Sequence, residues 1–337
     1  MQLNATDSKA INPLLLIAPF FLWGTAMVAM KGTIDHTTPL FMAGVRLVPA
    51  GVLILCAAWY MGKPQPKTWM AWLWIALFGL VDGALFQGFL AEGLQRTGAG
   101  LGSVMIDSQP LAVALMARFL FGEQVGLWGW LGLGFGVLGI TLLGLPQDLI
   151  AGMLHGGSSV SADFLEQLLQ NGQWLMLLAA LSMAVGTVMV RYVCRYVDPV
   201  VATGWHMIVG GLPLFGLSGL WESEQWVHLQ WADWMSLTYS TVFGSAIAYA
   251  LFFFFAATGN LTSLSSLTFL TPIFALLFGN LFLSETLDPL QWFGVGLTLI
   301  SIYLINQREQ LLQRFSKISD LDSVAVVEVE SEYSNPK

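Results

Sequence analysis

Charge is what this sequence has least of. Lys and Arg number 13 and Asp and Glu 21 in 337 residues, 10% of the chain, against roughly 25% in an average soluble protein. With so few basic residues and a net charge of -8, a nucleic-acid partner has no support. Cysteine is scarce too. Cys56 and Cys194 lie in or at the end of apolar segments, which argues against a structural disulfide and leaves them as small packing residues. The sequence holds no metal-ligand cluster, no phosphate-cradling glycine loop between strand and helix, and no nucleophile-base pair. Neither an enzyme nor a cofactor is expected.

What the chain has instead is long apolar runs: 56% of residues are hydrophobic and the mean hydropathy is +0.69. A helix needs about 20 apolar residues to cross a hydrocarbon core about 30 Å thick. Ten stretches meet or approach that length, at 13–31, 39–60, 69–92, 99–119, 126–145, 174–193, 199–221, 234–257, 262–283 and 288–306. The expected class is an all-α integral membrane protein with ten transmembrane helices. The first apolar run has no small-residue cleavage site after it, so it reads as a retained span and not a signal peptide. With the N-terminus cytoplasmic, only Lys31 and Arg96 fall outside and Arg46 within the membrane, while every other Lys and Arg is cytoplasmic, as the positive-inside rule requires. Tryptophans near segment ends, such as Trp59, Trp69, Trp174 and Trp221, suit interfacial belts.

The chain also repeats. Residues 102–123 echo residues 264–285, with Ser103 on Ser265, Pro110 on Pro272, Leu115 on Leu277 and Glu123 on Glu285. The second segment overlies the seventh, laying Pro39, Gly44, Arg46 and Gly51 on Pro199, Gly204, His206 and Gly211. Five spans per unit is an odd number, so the second copy enters the membrane upside down. Two inverted five-helix repeats are the plan of secondary transporters, whose substrate site lies near the midplane between the halves. The expected organisation is a first repeat at 1–145, an extracytoplasmic linker at 146–173, a second repeat at 174–306 and an acidic cytoplasmic tail at 307–337. Within the linker, Phe164, Leu165, Leu168 and Leu169 form an apolar stripe. That stripe suits a short helix on the membrane surface or a lid over the outer vestibule.

These residues resemble the EamA branch of the drug/metabolite transporter superfamily. The likeness rests on Trp23-Gly24 with Lys31 seven residues after the glycine, on Pro39 to Arg46, and on the twice-occurring pattern from Pro110 to Glu123 with a glycine-rich last segment. The wording GSVMIDSQP further resembles a cyanobacterial and plastid group within that branch. The resemblance implies a ten-helix fold, cytoplasmic termini, and export or exchange of small metabolites through a central cavity. Two departures, Met183-Ala184 where Trp-Gly would recur and His206 opposite Arg46, weigh against a fully symmetric mechanism.

Ionisable residues inside a bilayer cost about 2.5 to 3.5 kcal/mol each on insertion scales, so they are functional candidates by default. Counting rise along each helix puts Arg46 about 10 Å and Asp107 about 12 Å below the outer face, with Asp82 about 20 Å from the inner one. The three are expected to meet. Together they make either a proton- or cation-responsive site facing the cavity, or a structural ion pair of Arg46 with one Asp. Asp107 breaks the repeat, facing Phe269, and Asp82 faces Gly244. His206 can hydrogen-bond to a substrate or to a neighbouring helix, and Gln87 and Tyr249 can serve the cavity or tie helices together. Pro110 and Pro272 are expected to kink their helices. Gly132, Gly136 and Gly294 suit close packing of the fifth and tenth segments, either within the chain or between two copies as a homodimer. Lys31 and Arg191 read as snorkelling side chains at helix ends, and Glu123 and Glu285 as caps or loop anchors rather than substrate ligands. The expected function is a secondary transporter, in the export direction, of small organic metabolites across the plasma membrane by alternating access, with the proton as a candidate coupling ion and the lipid bilayer as its surroundings. An exchanger of phosphorylated metabolites and a non-transporting membrane scaffold or sensor are the alternatives.

Overall fold

A computed structural model describes residues 13–121, 126–144, 172–252, 270–305 and 307. Every regular element among them is helical. Their order is α1 (Pro13–Thr33), α2 (Pro39–Tyr60), α3 (Trp69–Arg96), α4 (Ala99–Ile106), α5 (Gln109–Phe121), α6 (Gly126–Gly144), α7 (Gly172–Val193), α8 (Pro199–Trp221), α9 (Trp231–Phe252), α10 (Leu270–Leu283) and α11 (Pro289–Ile305). Eight helices among the described residues are long and apolar enough to cross a membrane, α4 and α5 running on as one, and α10 and α11 are shorter apolar helices. Glu123, the linker stripe at 164–169 and the acidic tail lie outside the described residues.

Helix starts follow local chemistry. Pro39 and Pro199 occupy first-turn positions, where a missing N–H is no loss. Asp198 accepts from the Val200 N–H at 3.0 Å, and its other oxygen takes Lys63 Nζ at 3.0 Å from beyond the end of α2. At the opposite end, Glu222 accepts from Thr38 Oγ1 (2.7 Å), Leu40 N (2.9 Å) and Phe41 N (3.1 Å). Carboxylates thus satisfy orphan donors at helix N-termini, where the helix dipole also favours negative charge. Glu285 does the same for α4, accepting from Ala99 N at 2.6 Å and Gly100 N at 3.1 Å. Lys31 reaches the other kind of orphan, donating to the Leu94 and Gln95 carbonyls at the end of α3.

The most extensive helix pair is α2 with α8. A Cβ on Gly51 would lie 2.6 Å from the Gly204 carbonyl, one on Gly211 2.7 Å from Val48, and one on Gly44 2.8 Å from the Phe215 ring. Rising numbers on α2 meet falling numbers on α8, so the pair is antiparallel. Absent side chains let the backbones approach, which is how helices associate when lipid removes the usual hydrophobic drive. The glycines of α6 work similarly within the chain: Gly132 and Gly136 face Ser301 and its neighbours on α11, and Gly294 faces Gly139 and Leu143.

Three helices depart from regular α geometry. In α3 a π-helical turn spans Gly79–Leu85, and in α9 another spans Ser240–Ile247. Gly79 and Gly83 let the first turn press against α8 at His206, Val209 and Gly210. In the second, Ser245 Oγ donates to the Ser240 carbonyl at 3.1 Å, covering a carbonyl that the wider turn displaces. Between α4 and α5 the helix is interrupted at Asp107 and Ser108, just before Pro110, which has no N–H to give back to the preceding turn. Ser108 Oγ takes the Met105 carbonyl at 2.6 Å instead. Pro272 is the third residue of α10 and is buried.

The outside of the bundle is apolar. Trp59, Tyr60, Trp69, Trp221 and Trp231 stand largely exposed at helix ends, in keeping with interfacial aromatic belts.

Candidate functional site

The π-turn of α9 and the break after α4 both open onto a cavity of about 70 Å³. That room suits a few waters or one small solute. Trp23, Ala26, Met27 and Met30 line it from α1, Arg46 from α2, Phe86, Gln87 and Leu90 from α3, and Ser103, Ile106 and Asp107 from the α4 end. Met183, Ser240, Gly244, Ser245, Tyr249 and Thr271 complete it. The lining is mostly apolar with a few polar groups converging, the usual make-up of a small-molecule site.

Two ionisable side chains of opposite sign, Arg46 and Asp107, face this space, and no ion pair joins them. Arg46 is buried and uses its terminal nitrogens on Gln87 Oε1 and Met30 Sδ, while its Nε–H has no partner. Gln87 and Met30 are uncharged, so the guanidinium keeps its full positive charge. Asp107 accepts one hydrogen bond, from Ser103 Oγ at 3.2 Å, and among the described residues no cation pairs with it. Trp23 Nε1 and Thr271 Oγ1 are two further buried polar atoms on lining residues with no partner. Trp23 is held edge-on against Tyr249, ring centroids 5.2 Å apart, and tilted against Phe252 at 5.3 Å.

Of the residues singled out from sequence, Arg46, Gln87, Asp107 and Tyr249 line the cavity. Asp82 and His206 do not. Asp82 Oδ2 lies 3.3 Å from His206 Nε2, both side chains are buried, and the Phe78 ring covers the imidazole at 4.3 Å between centroids. The expected meeting of Arg46 with both carboxylates is therefore corrected, as is the expected ion pair between Arg46 and one of them. Counting rise along a helix gives depth but not direction, and the π-turn carrying Asp82 packs on α8, which turns the carboxylate to His206. Trp23, Ser103 and Thr271 were not singled out as site residues. Ser103 was legible as a group four residues before Asp107, one helical turn away, but the unpartnered Trp23 and Thr271 atoms carry no local sequence signal. Among the described residues no three His, Cys, Asp or Glu side chains are placed to hold a metal ion.

The EamA-like transporter family profile matches residues 11–145 and again 170–307. The chain is 60% identical over 313 residues to the uncharacterized transporter sll0355 of Synechocystis sp., covering 92% of this chain and 94% of that one. It is 52% identical to the WAT1-related protein At3g02690, chloroplastic, of Arabidopsis thaliana, over 90% of this chain and 71% of that one, which fits the cyanobacterial and plastid likeness of GSVMIDSQP. A solved crystal structure shares the fold alone, with a TM-score of 0.60 at 17% identity over 89% of this chain and 97% of that one. With apolar helices in number, a small-molecule cavity between them and a family match over both halves, the chain belongs to the EamA-like transporter family as a multi-pass membrane transporter.

Proposed function

We propose that this protein is a secondary transporter of small zwitterionic organic metabolites, working by alternating access between two inverted five-helix repeats in the plasma membrane, with both termini cytoplasmic. The observation that carries the substrate class is that Arg46 and Asp107 face one cavity and neither is neutralised by a protein charge. An unpaired charge at membrane depth is expensive, and a ligand bearing a carboxylate and an ammonium supplies both missing partners. Arg46 Nε and Trp23 Nε1 are donors free to receive the carboxylate, and Asp107 receives the ammonium. A phosphate dianion would bring its second charge against Asp107.

The repeat reading supports the same assignment. Exchanging the halves takes Arg46 to His206, Asp82 to Gly244 and Ala26 to Gly186. In the structure Asp82 packs on Gly186 and Gly244 packs on Ala26, while α2 packs on the π-turn of α9 as α8 does on that of α3. In one half the basic residue is thus met by a built-in carboxylate. In the other, glycine leaves that niche open to the cavity, and a substrate carboxylate fits it. The antiparallel α2–α8 pair and the twofold family match also favour inversion. The intramolecular contacts of Gly132, Gly136 and Gly294 leave a homodimer the surface at Gly134 and Gly296, where a side chain would meet no neighbour among the described residues.

The test is thermal stabilisation of the purified protein in detergent by three matched probe sets: neutral α-amino acids, the corresponding carboxylic acids and the corresponding amines. Only the zwitterions are expected to raise Tm. Equal stabilisation by the acids or the amines would contradict the assignment.

A further inference from the structure

The Asp82–His206 pair is a buried ion-pair site that the cavity does not use. Asp82 in its ionised form can only accept, so in a neutral imidazole facing it Nε2 carries the hydrogen and Nδ1 a lone pair. That Nδ1 is buried and has no partner, in a side chain 3% exposed. That lone pair is the basic site of a neutral imidazole, the atom at which the ring takes a proton.

The surroundings isolate the pair from other charge. α7 presents Gly186 to Asp82, and α2 presents Gly51 and Leu55 to α8 near Gly204. On α3, Glu92 and Arg96 lie 3.7 Å apart and pair with each other, and at the start of α8 Asp198 is engaged with Lys63. Arg46 of α2 is held by Gln87 and Met30. Tyr249 of α9, which lines the cavity, lies within electrostatic range of both Asp82 and Arg46. Other ionisable side chains on the packed elements include Cys56 of α2 and Tyr192 and Cys194 at the end of α7.

We propose that the Asp82–His206 pair is the binding site of a coupling proton, separate from the substrate cavity, with His206 Nδ1 as the atom that takes it. This rests on the transport reading above. With the proton on Nδ1 the ring becomes an imidazolium against a carboxylate, and the pair is neutral. Without it the pair carries one negative charge. The change acts where the π-turn of α3 presses on α8 through Gly79, Gly83 and Gly210, with Gly83 and Gly210 meeting backbone to backbone. Loading and unloading of the proton then alters how strongly α3 holds α8, the helix that also packs along α2 beside the cavity.

The experiment compares wild type, Asp82→Asn and His206→Gln in proteoliposomes, using a mixture of radiolabelled neutral α-amino acids as probe. Two modes are read: counterflow at equal pH, and accumulation against an imposed pH gradient. The expected result is that both variants keep counterflow within about twofold while pH-driven accumulation falls to the level of the no-gradient control. A variant that still responds to the gradient overturns the proposal, and so does a wild type with counterflow but no pH response. Absence of wild-type counterflow overturns the transport reading and the proposal with it. If both variants lose counterflow, nuclear magnetic resonance of a chain with His36, His155 and His228 replaced by Gln decides. An imidazole resonance whose position responds to pH supports the site, and one that does not move overturns it.

Discussion

Arg46 can be separated from a generic positive charge by its geometry. Each terminal nitrogen places one N–H, on Gln87 and on Met30, while Nε–H is buried without a partner among the described residues. Lysine keeps the charge but has neither the fork nor that donor. Arg46→Lys is therefore expected to weaken amino-acid binding by about 10-fold or more, the worth of a hydrogen bond to a charged group, read as the concentration giving half the Tm shift. Retained affinity would mean that charge alone is sensed. Ser103→Ala removes the single hydrogen bond to Asp107 without touching its charge, and a smaller loss is expected, about threefold to tenfold. At this scale the sequence is informative about which residues are costly to bury and silent about what they face. Arg46 and Asp107 were legible because charges in apolar runs are rare. The pairing of Asp82 with His206 was not, because it depends on a π-turn that no hydropathy pattern announces.

Between helices, glycine placement governs the packing. A Cβ on Gly51 would sit 2.6 Å from a backbone oxygen and 2.8 Å from Ile208, so neither neighbour is the far end of a flexible chain. Gly51→Ala is expected to destabilise by about 1–3 kcal/mol through overpacking, seen as a lower Tm in detergent. A Cβ on Gly134 would meet nothing within 4 Å among the described residues, and Gly134→Ala is expected to be neutral or slightly stabilising, since alanine is the better helix former by about 1 kcal/mol. Equal effects at the two positions would show that the α2–α8 contact is looser than described. Glu285→Gln keeps the shape of the cap on α4 but removes its charge, and a loss of about 0.5–2 kcal/mol is expected. The cap role of Glu285 was readable from its recurrence at the end of a repeated segment, though not the helix it caps, which lies in the other half of the chain. The Gly44, Gly51, Gly204 and Gly211 spacing was visible as a repeat, and its meaning, one copy packed against the other, needed the three-dimensional pairing.

Taken whole, the chain is an apolar bundle whose exterior suits lipid and whose described interior sets Arg46 and Asp107 on one small space without an ion pair between them. Composition alone was enough to read the membrane class, because 10% charge and 56% hydrophobic residues leave no soluble surface to build. Which charges converge was beyond sequence, since convergence depends on helix rotation about each axis as well as on depth. The most direct measurement is counterflow of radiolabelled neutral α-amino acids into proteoliposomes at equal pH, comparing wild type with Arg46→Gln and Asp107→Asn. Exchange by wild type, with a fall of at least about tenfold in each variant, is the expected result. Undiminished exchange in both variants would contradict the claim that these two unpaired charges bind the substrate.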